Sequence, residues 1–188
     1  MAEILLTSET FVKSVTSISD NLAGKYLRPS IREAQDMGLR GILGDTLLGK
    51  LKALVGEGTI GREENLAYKA LLDRAQYYLA YMAVVEVAAK VSYKIVNFGV
   101  AKTQDENLQT ASPEEISQMR FYYQSKADHT CVELQNFLLN NRTLYPELTE
   151  GDYHRIHSNL YSAASSGIWL GGPRGKVLPG TGVKCGRE

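Results

Sequence analysis

The sequence predicts a mainly α-helical fold: an antiparallel helical bundle with a long buried central helix, one β-hairpin insertion and an extended C-terminal arm. Three observations predict it. Residues 75–91, AQYYLAYMAVVEVAAKV, are apolar around nearly the whole circumference of a helix, the mark of a central helix with neighbours on several sides. Farther on, Ile116, Met119, Tyr123, Ala127, Cys131, Leu134 and Leu138 recur three or four apart, one face of a second long helix. Between the two, residues 93–102, YKIVNFGVAK, are β-branched and aromatic around Asn97-Phe98-Gly99, which reads as a hairpin.

The remaining elements follow in order. Before residue 30, Val12, Val15, Thr16 and Ile18 alternate loosely, which predicts a short strand or extended arm. Arg28-Pro29-Ser30 then opens the first helix, proline suiting an early helical position. That helix runs to about Leu43 and resumes to about Val55, with a junction at Gly44. After a glycine-rich turn, Arg62-Glu63-Glu64-Asn65 starts the long helix, placing acids where the helix dipole favours them. Residues 103–110 are a polar connector. Ser112-Pro113-Glu114-Glu115 combines a capping Ser, Pro at the first position and Glu at the third, a strong helix start. This helix ends near Asn140 and Asn141. A weaker helix over residues 151–164 uses Tyr153, Ile156, Leu160 and Ala164. Residues 1–162 thus form the bundle domain, and residues 163–188 a glycine-rich, basic arm without regular structure of its own.

Composition narrows the function. At 188 residues the chain suits one ordinary domain with appendages. Lys plus Arg and Asp plus Glu number 21 each, so no overall field draws the protein to nucleic acid or a membrane. From Ala163 onward Arg174, Lys176, Lys184 and Arg187 face Glu188 alone, so the arm carries +3 and the rest −3. Cys131 and Cys185 make no metal-ligand spacing and no disulfide framework. The N-terminal residues lack a basic region followed by a long apolar run, so a cytosolic chain is expected. The apolar run 75–91 is shorter than the ~20 residues a bilayer needs and contains Gln76, Glu86 and Lys90.

Two glycine patterns imitate nucleotide sites. Gly44-Asp45-Thr46-Leu47-Leu48-Gly49-Lys50 approaches a phosphate-binding loop, yet Leu51 stands where a magnesium-binding hydroxyl belongs. No strand precedes it either: Ile31, Ala34, Leu39, Ile42, Leu43, Leu47 and Leu51 mostly recur at helical spacing. Gly56-Glu57-Gly58-Thr59-Ile60-Gly61 matches the dinucleotide fingerprint but follows a helix end rather than a strand. Glycines there supply the left-handed turn that stops a helix.

Catalytic and metal constellations are missing too. His154 and His157 lie three apart beside Asp152, but zinc needs three or four ligands and nothing completes the set. His129 and Cys131, two apart on a helix, point in different directions. No enzyme chemistry, cofactor or metal is expected. A nucleic-acid module would need a basic stripe with interleaved aromatics, and Lys94, Phe98 and Lys102 are too sparse for one copy.

The order of elements resembles the head-tail connector (adaptor, or head-completion) proteins of tailed bacteriophages. The residues that carry the resemblance are Ile31-Arg32-Glu33-Ala34-Gln35, leading through Leu39 to Ile42-Leu43-Gly44 and Leu47. The Tyr-rich helix 77–89, the hairpin around Val96 to Val100 and the helix 112–139 complete the set. The resemblance implies a structural protein of the virion neck, present in the host cytoplasm during assembly. It implies a homo-oligomeric ring, usually of twelve copies, under the portal protein, extending the DNA channel and docking the next neck or tail component. DNA would pass through without sequence-specific binding, and no membrane is involved. On that reading Ile168, Trp169, Leu170, Arg174, Lys176, Lys184 and Arg187 of the arm bind a partner, while Lys94, Asn97, Phe98 and Lys102 of the hairpin line the lumen or clamp a neighbour. The arm itself departs from the pattern. Two alternatives stay open: a nucleotide-binding enzyme or regulator using residues 44–50, and a small helical DNA-binding protein.

Overall fold

The computed structural model describes residues 4–96, 99–102 and 112–149 and the single positions 152, 153 and 156, with side chains left out at 89, 92–96 and 99–102. Its helices are α1 (Glu9–Val15), α2 (Gly24–Glu33), α3 (Arg40–Gly56), α4 (Leu66–Ser92) and α5 (Pro113–Asn140). A π-helical stretch, Ala34–Leu39, joins α2 to α3 without a break. Helix α4 buries Leu71, Leu72, Ala75, Tyr78, Leu79, Ala80, Ala83, Val84, Val85, Val87 and Ala88, so close in sequence that they point to every side of the helix. Partners surround it accordingly. Val12 of α1 and Leu27 and Ile31 of α2 close on Ala80 and Ala83. Leucines 43, 47 and 51 of α3 and 134 and 138 of α5 pack with Leu71 and Leu79 in the main core. Helices α4 and α5 run antiparallel, as Tyr81 beside Tyr123 and Arg74 over Phe137 require.

Local chemistry sets the ends. Ser112 Oγ accepts from the Glu115 N–H at 3.2 Å while Glu115 Oε2 accepts from the Ser112 N–H at 2.7 Å, closing the capping box at the start of α5. At the end of α3, Gly58 takes φ 68°, its N–H donating to Val55 O at 3.1 Å and the Thr59 N–H to Leu54 O at 3.0 Å. That pair of bonds is a Schellman motif, the helix stop that the dinucleotide-like glycines were read as. Beyond α5, Tyr145 is fully buried and its hydroxyl donates to Ala67 O at 2.9 Å, pinning the C-terminal turn to the start of α4. Tyr153 and Ile156 are helical and buried as the periodicity requires, while the rest of the 151–164 helix lies outside the described residues.

The N-terminal expectation is overturned. The β-branched residues do not form a strand: Ser8 caps α1 by accepting from the Phe11 N–H at 3.1 Å, and Val12 turns into the core. Helix α2 starts at Gly24, not at Pro29, and carries Pro29 inside it. Pro29 is exposed, so solvent can take up the carbonyl that its missing N–H leaves.

The fold class needs correction in its β component. Among the described residues the molecule is mainly helical, and the expected β-hairpin insertion is not a unit of its architecture. What the chain forms after α4 is a ribbon of two four-residue strands, β1 (Tyr93–Val96) and β2 (Gly99–Lys102), paired only with each other from Tyr93↔Lys102 to Val96↔Gly99. Among the described residues no third strand joins these two, and a third strand or covering layer is what gives a β unit stability of its own.

The decisive local feature is Gly44, at φ 74° and ψ 169° inside α3. This region of backbone space is essentially open to glycine alone. Gly49, five residues on, is ordinary helix with open space where a Cβ would stand. The two glycines of the phosphate-loop pattern therefore answer to opposite rules. Gly44→Ala should cost about 1–3 kcal/mol of stability, and Gly49→Ala should add about 0.5–1 kcal/mol. Urea titration of the two variants checks both signs.

Candidate functional site

Residues 44–50 do not form a phosphate cradle. Lys50 is exposed on α3 with its Nζ 5.9 Å from the Tyr68 ring centroid, and Asp45 is paired with Arg40 at 2.5 Å. The Arg40 guanidinium holds the Asp45 carboxyl below the ordinary carboxylate range. The backbone after Gly44 is wound into helix rather than opened toward a ligand.

The other half of the same segment is scaffold. Gln35 is fully buried: its Oε1 accepts from the Leu6 N–H at 2.9 Å, and its Nε2 donates to Ile4 O at 3.3 Å. Gln76 Nε2 donates to Leu6 O at 2.9 Å. Two helix side chains thus satisfy the backbone of residues 4–6, as buried polar groups require. Gly38 lies against Tyr78, whose hydroxyl would stand 2.3 Å from an added Cβ.

The predicted site residues of the arm, Ile168, Trp169, Leu170, Arg174, Lys176, Lys184 and Arg187, lie outside the described residues. So do Asn97, Phe98, His154 and His157. Lys94 and Lys102 are described in backbone only, opposite Ala101 and Tyr93. Among the described residues no group of three His, Cys, Asp or Glu is placed to hold a metal ion. Among them also, no helix is long and apolar enough to cross a membrane.

A further concavity is one that the sequence does not announce. It is a cleft of about 710 Å³ along the α4–α5 seam, walled by Arg74, Tyr77 and Tyr81 of α4 and by Tyr122, Lys126 and His129 of α5. Its volume lies within the usual range for ligand sites, ~300–1,000 Å³. Lys126 Nζ sits 4.5 Å from the Tyr122 ring centroid, 5.5 Å from Tyr81 and 5.8 Å from Tyr123. A hydrogen bond with Tyr122 pushes the ammonium pKa up, so it is a cation at any physiological pH. The Arg74 guanidinium lies 4.0 Å over Phe137. His129 Nε2 is 3.4 Å from Glu133 Oε1. Tyr77 and Tyr122 are 45% and 54% exposed, presenting flat apolar surface to solvent.

A signal for this cleft existed. Tyr122, Lys126, His129 and Glu133 recur at helical spacing beside the core stripe of α5, and Tyr77 and Tyr81 are one turn apart. Only the antiparallel pairing of the two helices brings those stripes together.

Cys131 stands behind the seam, half-buried and unpaired in any disulfide. Burial, with Asp128 nearby, pushes its thiol up to about 11.

A family model, Family of unknown function (DUF6712), matches residues 39–157, well over half of the chain. No curated protein and no solved structure matches the chain.

Thiolate is the reactive form, and a pKa near 11 in place of 9 leaves about a hundredfold less of it at pH 8. In a Cys185→Ser background, Cys131 should react with iodoacetamide about a hundredfold more slowly in the native protein than in urea; mass spectrometry of timed samples measures the ratio.

Proposed function

The chain belongs to the DUF6712 family of unknown function, and we propose that it is a structural head-tail connector of a tailed bacteriophage. In this reading identical copies close into a ring under the portal protein, extend the DNA channel and dock the next neck or tail component. No catalytic step is assigned. The ring stands in the virion neck and forms in the host cytoplasm, and DNA passes through it without being read.

The observation that carries the reading is the fate of the connector-like segment. Ile31, Ala34, Gln35, Leu39, Leu43 and Leu47 are all buried to 2% exposure or less, and Gly44 turns the chain between them. These residues shape a subunit; none of them offers itself to a substrate. The surface supports the same reading. Met37 on the π-helical stretch and Phe121 on α5 are 80% and 75% exposed. Head-to-tail ring closure requires two different patches on each copy, and these two lie on different elements. Equal numbers of acidic and basic residues suit a channel subunit better than a stand-alone DNA-binding protein, whose affinity grows with the phosphates it neutralises.

Native mass spectrometry of the protein with and without portal is the direct test. A closed oligomer of identical copies is expected; a strict monomer under both conditions overturns the reading. Deleting residues 167–188 should leave the helical circular dichroism and melting curve unchanged while abolishing attachment to the portal, and normal incorporation of the truncated chain into particles would remove the role given to the arm.

A further inference from the structure

We propose that the α4–α5 cleft binds a nucleoside phosphate, the base against the tyrosine rings and the phosphate on Lys126 and Arg74. The inference does not rest on the connector reading, since it concerns the free subunit and its own seam.

Three features of the cleft meet the chemistry of such a ligand. The first is flat apolar surface. Tyr77 on one wall and Tyr122 on the other are about half exposed, and stacking on a ring face is how proteins hold a base without reading its edge. The second is charge. Arg74, Lys126 and, when protonated, His129 face the cleft, against the carboxylate of Glu133, which already lies 3.4 Å from His129. The balance favours an anion. The third is preorganisation: Lys126 is held over three tyrosine rings at 4.5–5.8 Å, and Arg74 is anchored by stacking on Phe137 and by donating from Nη1 to Ala70 O at 2.9 Å. Both cations are placed before the ligand arrives, so little side-chain freedom is lost on binding.

An apolar ligand would leave the two cations facing it without a counter-charge. Inorganic phosphate would leave the tyrosine faces wet. A planar aromatic group carrying a phosphate satisfies both, and the volume accommodates one mononucleotide. Its source is either a free nucleotide or one unit of a single-stranded nucleic acid.

The experiment is titration of the full-length, ¹⁵N-labelled protein with adenosine monophosphate, with a dT8 oligonucleotide and with inorganic phosphate, followed by amide shifts along α4 and α5. Saturable shifts with adenosine monophosphate are expected, weakened about tenfold or more by Lys126→Met and by Tyr122→Leu. Lys50→Ala, which removes the lysine of the phosphate-loop pattern, should leave them unchanged. Thermal melts establish that each variant is folded. Tighter binding of dT8 with a steep loss in salt assigns the ligand to single-stranded nucleic acid; equal affinity for both assigns it to the free nucleotide. The proposal falls if neither nucleotide ligand saturates the seam, if the two cleft variants bind as the wild type does, if Lys50→Ala abolishes binding, or if inorganic phosphate shifts the same amides as well as adenosine monophosphate does.

Discussion

From Tyr78 to Ala88 helix α4 has no side to leave in water, and much of the rest of the molecule follows from that constraint. Eight of the eleven residues from Tyr78 to Ala88 are buried, a density that one neighbouring helix could not cover. A helix with two or three uncovered apolar flanks would pull the chain into aggregates, because apolar burial is non-directional and proportional to area. The chain answers by placing α1 and α2 on Ala80 and Ala83, α3 on Leu71 and Leu79, and α5 along the remaining flank through Tyr123, Ala127, Leu134 and Leu138. Even the loop after α1 serves this end. Tyr123 Oη accepts from the Ser17 N–H at 2.9 Å, and Lys13 Nζ donates to Asp20 O and Leu22 O, so the loop is tied down over the α4–α5 junction.

Covering two flanks of α4 with one continuous helical path requires that path to change direction and register. The stretch from α2 to α3 does both within a few residues. A π-helical turn advances the face by one extra residue, so that Ile31 before it, Ala34 and Leu39 at its two ends and Ile42 and Leu43 after it all reach the core. Gly44 then breaks the helix in a conformation closed to other residues, and Leu47, Leu48 and Leu51 resume on a new axis. Gln35 sits within the π turn, and its buried amide needs a partner there. The backbone of residues 4–6 supplies it, which draws the N-terminal strand of chain across the base of α2 and α4. Lys90, bonded to Ser30 Oγ at 3.1 Å and paired with Glu33, fastens the last turn of α2 to the C-terminal end of α4.

What could be read from the sequence was what repeats. The stripe on α5, apart from Met119 at 42% exposure, its capping box and the all-round apolarity of α4 from Tyr78 to Ala88 are periodic or local signals, and each appears in the structure where the residues place it. The breaks at Gly44 and Gly58 stand where the sequence places them, although Gly49 in the same run is ordinary helix. The failures have equally physical causes. Helix α1 is two turns long, too short for its period to stand out against the β propensity of Val12 and Val15, and only tertiary burial of Val12 decides for helix. Pro29 misled because proline marks helix starts in general, whereas here its defect faces water. The β component was overread from a composition that supports only a four-rung ribbon at the end of α4. Nothing in a one-dimensional pattern announces a π turn, since one inserted residue looks like ordinary drift in the period.

The cleft was hidden for a different reason. Tyr77 and Tyr81 stand more than forty residues before Tyr122 and Lys126, and their proximity depends on the antiparallel register that the buried Tyr78, Ala127 and Leu134 impose. Where two long helices diverge at the surface, the seam must end in groups that tolerate both apolar contact and water. Tyrosine rings roofed by Lys126 and a phenylalanine ring roofed by Arg74 meet that demand: the cations lie on ring faces while their remaining donors stay hydrated. Leucine would seal the seam equally well but leave a greasy groove, and a carboxylate would be repelled by the ring faces. The composition of the seam therefore follows from sealing it, and the same composition leaves aromatic surface and positive charge side by side. Any ligand that engages them binds the assembled α4–α5 pair and not the unfolded chain, so its binding free energy adds to the stability of the contact that every other element is arranged around.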